Sequence, residues 1–117
     1  MTLTVNAYKR EGEKTSFVEV DYSETLAGIE ICRTALWGHE AARSLGLTLL
    51  PSLAETDIWV EGDDLDRLEW EVQTILANLG RLEKETGCGA DYIQVRSGNI
   101  LRAIARARGV GGGVVIW

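Results

Sequence analysis

One proline, one histidine, one phenylalanine and two cysteines are all that this 117-residue chain has of those residues, and each scarcity closes off a class of protein. A single proline beside 45% hydrophobic and 26% charged residues is unlike a disordered or low-complexity chain and predicts a packed core. One histidine and the widely separated Cys32 and Cys88 offer no paired ligand spacing, so no transition-metal site and no metal or organic cofactor is expected. The stretch Met1–Arg10 lacks the charged head and apolar run of an export signal, which also argues against a disulfide between the two cysteines. No apolar run approaches the ~18 residues of a membrane span, so the expected place is the cytoplasm, away from membranes. Basic residues are outnumbered, and a net charge of −6 disfavours nucleic acid, whose phosphates need a basic stripe.

What is present reads as one domain over residues 1–117, long enough to bury roughly two thirds of the surface of its unfolded chain. The clearest pattern lies between Gly62 and Gly87, where Leu65, Leu68, Val72, Ile75, Leu79 and Leu82 recur at the spacing of one helical face. Asp63 or Asp64 is placed to cap that helix, Asp66 and Glu69 set negative charge on the positive end of its dipole, and Gly87 suits a left-handed C-terminal cap.

Upstream, Leu3, Val5 and Ala7 alternate with Thr4, Asn6 and Tyr8, and residues 17–22 are rich in β-formers, which predicts an antiparallel hairpin across the polar Lys9–Lys14 stretch. From Ser23 or Thr25 to Gly46 the stripe of Leu26, Ile29, Cys32, Leu36 and Trp37 predicts a first helix of about five turns. Residues 47–50 and 57–61 read as short strands, and residues 91–108 as a helix stopped by Gly109, with a break near Gly98 as the rival reading. Residues 114–117 are wholly apolar and would be a liability unless they add a buried strand to the sheet. The order β-β-α-β-β-α-α-β predicts an α+β fold, a mainly antiparallel sheet covered on one face by about three helices.

No catalytic constellation is recognisable, and every chemical candidate has a plainer explanation. The 109–113 glycine run resembles a phosphate loop in composition alone, since it leads from a helix into a strand and no lysine follows. The Asp63-Asp64-x-Asp66 cluster lacks the alternating oxygen ligands and terminal glutamate of a calcium loop, and helix capping accounts for it. His39, with Arg43 one turn on, can serve as a base or hold an anion, but no nucleophile is placed beside it. Arg96 and Asn99 fall close to the apolar stripe of Ile93 and Ile100. A buried Arg96 would need a carboxylate such as Glu19, Asp21 or Glu61.

Two functional expectations follow. The first is a small acidic interaction or regulatory domain, inhibitor-like, immunity-like or self-associating, that uses Asp63, Asp64, Asp66, Glu69 and the off-stripe Trp70 against a protein partner of basic character. The second is a small-molecule-binding protein or modest enzyme with His39, Arg43, Arg96 and Asn99 converging in a pocket between sheet and helices. Homo-oligomerisation through a sheet edge or the long helix is compatible with either.

Overall fold

The computed structural model describes residues 2–117 and has an α+β fold built on a five-stranded antiparallel sheet. The strands are β1 (Thr2–Glu11), β2 (Lys14–Phe17), β3 (Leu26–Ile29), β4 (Ile58–Glu61) and β5 (Gly113–Ile116). Their order is β2-β1-β5-β4, with β3 pairing the beginning of β1 beyond the reach of β2. Because side chains alternate along a strand, Leu3, Val5 and Ala7 of β1 are buried on one face together with Ile58, Val60, Val114 and Ile116. The hairpin and the terminal apolar strand form as the alternation predicts, although β2 begins earlier than the expected residues 17–22. β5, flanked by β1 and β4, is buried along its whole length.

Three longer helices, α2 (Asp64–Leu76), α3 (Leu79–Thr86) and α4 (Ala90–Val110), accompany the short α1 (Glu40–Arg43). The apolar stripe of α4, Ile93, Ile100, Ala103, Ile104 and Ala107, closes over β1 and β5. Leu65, Leu68, Val72 and Ile75 of α2 pack against α4 and β4. None of these helices is long and apolar enough to cross a membrane, among the described residues.

At three places the structure departs from the sequence reading for a visible physical cause. The expected first helix from Ser23 to Gly46 is instead a 3-10 turn (Tyr22–Thr25), strand β3, a π-turn (Arg33–Trp37) and α1. Gly28 stands at φ 118°, and a Cβ there would lie 2.8 Å from Cys32 Sγ and 3.0 Å from Tyr92 Oη. That backbone belongs to no helix, and Tyr92 fills the place of a side chain.

Residues 47–50 are not a strand, because their amide groups are taken by a side chain. The buried carboxylate of Glu71 accepts from the N–H groups of Thr48, Leu49 and Leu50 and from Arg67 Nε, at 2.9 to 3.0 Å. The expected helix across residues 62–87 divides at Ala77 and Asn78. There the Asn78 amide donates to the Thr74 carbonyl at 2.8 Å, taking the acceptor that a continuous helix would offer to its own backbone. Gly87 is the left-handed cap that was expected, whereas α4 runs unbroken through Gly98 and past Gly109 to its left-handed cap at Gly111.

Candidate functional site

The alternation that buries one face of the sheet turns Tyr8 and Arg10 of β1, Phe17 of β2, Trp59 and Glu61 of β4 and Val115 of β5 to the other, and no helix covers them there. Trp117 follows β5 onto the same face, held by reciprocal backbone bonds with Thr4 and by its indole N–H donating to Asn6 Oδ1 at 3.0 Å. The aromatic rings form a chain. Tyr8 meets Trp59 at 5.2 Å, Trp59 meets Trp117 at 5.5 Å, and Trp117 meets Phe17 at 5.3 Å. Phe17 keeps 41%, Trp59 45% and Trp117 38% of its surface in solvent. The rings are inclined to one another by 36° to 72°, an edge-into-face cluster and not a flat stacking platform.

One end of this cluster is polar. Gly113 pairs with Tyr8 on one side and with Glu61 on the other, and a Cβ on it would strike Tyr8 Oη at 2.6 Å. The bare glycine therefore lets the Tyr8 ring lie across β5 and donate its hydroxyl to Glu61 Oε2 at 2.5 Å. Arg10 Nε donates to the same oxygen at 3.2 Å, and its guanidinium sits 5.2 Å from the Tyr8 ring centre and 5.9 Å from that of Trp59. The Tyr8 hydroxyl, and then Arg10, hold the Glu61 carboxyl below its ordinary range. Burial, and then the Glu61 hydrogen bond, push the Tyr8 phenol up. The hydrogen bond to Glu61 is the main reason that the Arg10 guanidinium is held above its own ordinary value. An open cleft of about 350 Å³ lined by Arg10, Glu61, Gly62, Gly111 and Gly112 adjoins this end.

The residues singled out from sequence are placed differently. Asp63 and Asp64 are exposed at the start of α2, and no side chain caps that helix. Asp66 and Glu69 are bound by Arg108 of α4 at 2.5 and 3.1 Å, so the acidic block and the basic C-terminal cluster attract each other as their charges suggest. Trp70 is 47% exposed, with the Arg67 guanidinium 4.6 Å from its ring centre. His39 caps α1, its Nδ1 accepting from the Ala41 N–H at 3.0 Å, and Arg43 donates to the carbonyls of Gly38 and Pro51.

Asn99 donates to the carbonyls of Ser23 and Leu26 and accepts from Arg102, which fastens α4 to the 3-10 turn and to the start of β3. Arg96 lies 4.7 Å from the Tyr92 ring centre with no carboxylate partner among the described residues, neither Glu19, Asp21 nor Glu61. His39 and Arg43 thus hold one turn while Asn99 holds another, and no hydrogen bond or ion pair joins the two pairs. The layer between sheet and helices, where a pocket was expected, is filled by Leu36, Trp37, Leu68, Ile93, Ile100 and Ile104. Among the described residues no group of three or more His, Cys, Asp or Glu is arranged to hold a metal ion, and both cysteines are free thiols.

Sequence reasoning missed the outer face. The signal was available in the alternation of Trp59 and Glu61 with Ile58 and Val60, which puts the tryptophan on the side away from the core. No protein-family model, no curated protein and no solved structure matches the chain.

Proposed function

We propose that the protein is a non-catalytic interaction domain, of inhibitor or immunity type, that binds a basic protein partner across the outer face of its sheet. The observation that carries this reading is the chain of four aromatic rings on that face, of which Phe17, Trp59 and Trp117 are 38% to 45% exposed while Tyr8 lies buried among its neighbours. Contiguous exposed aromatic surface is costly in water, and tryptophan and tyrosine are enriched where interfaces concentrate their energy. Charge supports a basic partner, because the net charge is −6 and Glu61, Asp63 and Asp64 lead directly on from Trp59 at one end of the face. The acids of α2 contribute less than their number suggests, since Asp66 and Glu69 are already matched by Arg108 and Glu71 is buried.

The test is to isolate the tagged chain from its native cells, identify any protein that accompanies it in stoichiometric amount, and rebuild the complex from purified parts with light scattering and calorimetry. A complex weakened at least 100-fold by Trp59→Ala with Trp117→Ala, and weakened by salt, is the expected result. A complex indifferent to those two substitutions overturns the reading, as does a chain found only as a homodimer through another surface.

A further inference from the structure

We propose that Tyr8, Trp59 and Glu61 form a receptor for one arginine side chain of the partner, and that Arg10 is its built-in competitor. The inference rests on the reading of the outer face as a protein-binding surface and names the chemistry of its central contact. The geometry of recognition is already occupied. The Arg10 guanidinium has two aromatic rings within 5.9 Å and a carboxylate oxygen 3.2 Å from its Nε, the kinds of contact by which rings and a carboxylate hold a guanidinium. A planar, delocalised cation that stacks and forks suits this setting better than a compact, strongly hydrated ammonium, so arginine is expected over lysine.

Arg10 is a displaceable occupant. Its side chain and that of Glu61 are each 51% exposed, and ion pairs in such positions are weak. The receptor has a support other than Arg10, because the Tyr8 hydroxyl lies against Gly113 and donates to Glu61 Oε2 at 2.5 Å. The rings and the carboxylate are carried on three paired strands, β1, β5 and β4, and the Arg10 guanidinium reaches them from β1 on a long, half-exposed side chain. A tethered competitor acts at an effective concentration on the order of millimolar. A stray arginine therefore fails to enter, and a partner succeeds when its remaining contacts with Trp117 and Phe17 supplement the exchange.

The test follows the Trp59 indole N–H signal by NMR while Nα-acetyl-arginine amide is added to the wild type, to Arg10→Ala and to Arg10→Ala with Glu61→Gln. Nα-acetyl-citrulline amide serves as the uncharged control. The expected result is saturable binding to Arg10→Ala at least tenfold tighter than to the wild type, lost when Glu61→Gln is added and absent with citrulline. Equal affinity in wild type and Arg10→Ala, or equal response to citrulline, overturns the proposal. The probe separates the two readings. A partner complex that needs Trp59 and Trp117 while Arg10→Ala ignores the arginine probe removes the receptor and leaves the surface; an Arg10→Ala protein that takes the probe but has no protein partner does the reverse.

Discussion

The two faces of the sheet are made from the same strands and meet opposite fates. Leu3, Val5, Ala7, Val60, Val114 and Ile116 lie under helices with at most 4% of their surface exposed, while Phe17, Trp59 and Trp117 on the far side keep a third or more. Burial of the first set is what holds the fold together, since each large apolar side chain removed from water contributes about 1.5 to 3 kcal/mol. The second set buries only part of each ring, yet its side chains are larger and aromatic. The part of those rings left in solvent adds nothing to the fold and is better explained by what it contacts outside the chain.

The comparison can be broken most forcefully from the inner side. Leu68→Ala, at a site with no exposed surface, should cost about 2 to 5 kcal/mol in chemical denaturation, because it leaves a cavity between α2 and its neighbours. Glu71→Ala should come close behind at about 3 kcal/mol, since it strands Arg67 and three amide groups of residues 48–50. Hydrogen exchange at those three amides should accelerate in step. If Glu71→Ala unfolds no more easily than the wild type, the buried carboxylate does not organise that segment.

On the outer side the same kind of truncation should do much less to the fold. Trp59→Ala alone is expected to lower stability by about 1 to 2 kcal/mol, the scale of its two edge-to-face ring contacts with Tyr8 and Trp117, while removing most partner affinity. A loss as large as that of Leu68→Ala would make the aromatic chain a second core and erase the contrast between the faces.

The smallest expected effect concerns pH. The Glu61 carboxyl is held below its ordinary value of 4.5, so its contribution is complete above that pH and is lost as pH falls through the lower folded value. The Tyr8 phenol is held above its ordinary value of 10.0, so its contribution is complete below that pH and is lost as pH rises beyond it. Thermal melts of Tyr8→Phe should shrink both the alkaline and the acid dependence, burial of the Tyr92 phenol supplying the alkaline part that remains, and unchanged profiles would dissolve the Tyr8–Glu61 bond.

Local patterns carried much of the fold. The alternation of β1, the stripe of α2 and α3 and the apolar run of β5 were each readable because their partners lie on one predictable side. What stayed hidden depended on residues distant in sequence. Residues 26–29 carry a helical-looking stripe, yet Gly28 is fixed by Cys32 and by Tyr92 of α4. Likewise, residues 47–50 look like a strand until Glu71 takes their amides.

The candidate site was less legible, and for the same reason. Asp66 and Glu69 count as acids in the sequence but are neutralised by Arg108, whereas Tyr8 and Glu61, far apart in the chain, meet because Gly113 leaves room between them. The place of Trp70 off the stripe left it either covered by a helix or exposed, and it is exposed; nothing in the sequence joined Trp59 and Trp117 to Phe17.

Oxidative footprinting of the tryptophans in the purified partner complex tests the central claim most directly, because Trp59, Trp117 and Trp70 are all accessible in the free chain. Protection of Trp59 and Trp117 with Trp70 still reactive is the predicted result; protection of Trp70 with Trp59 and Trp117 unchanged would place the partner on α2 and contradict the account.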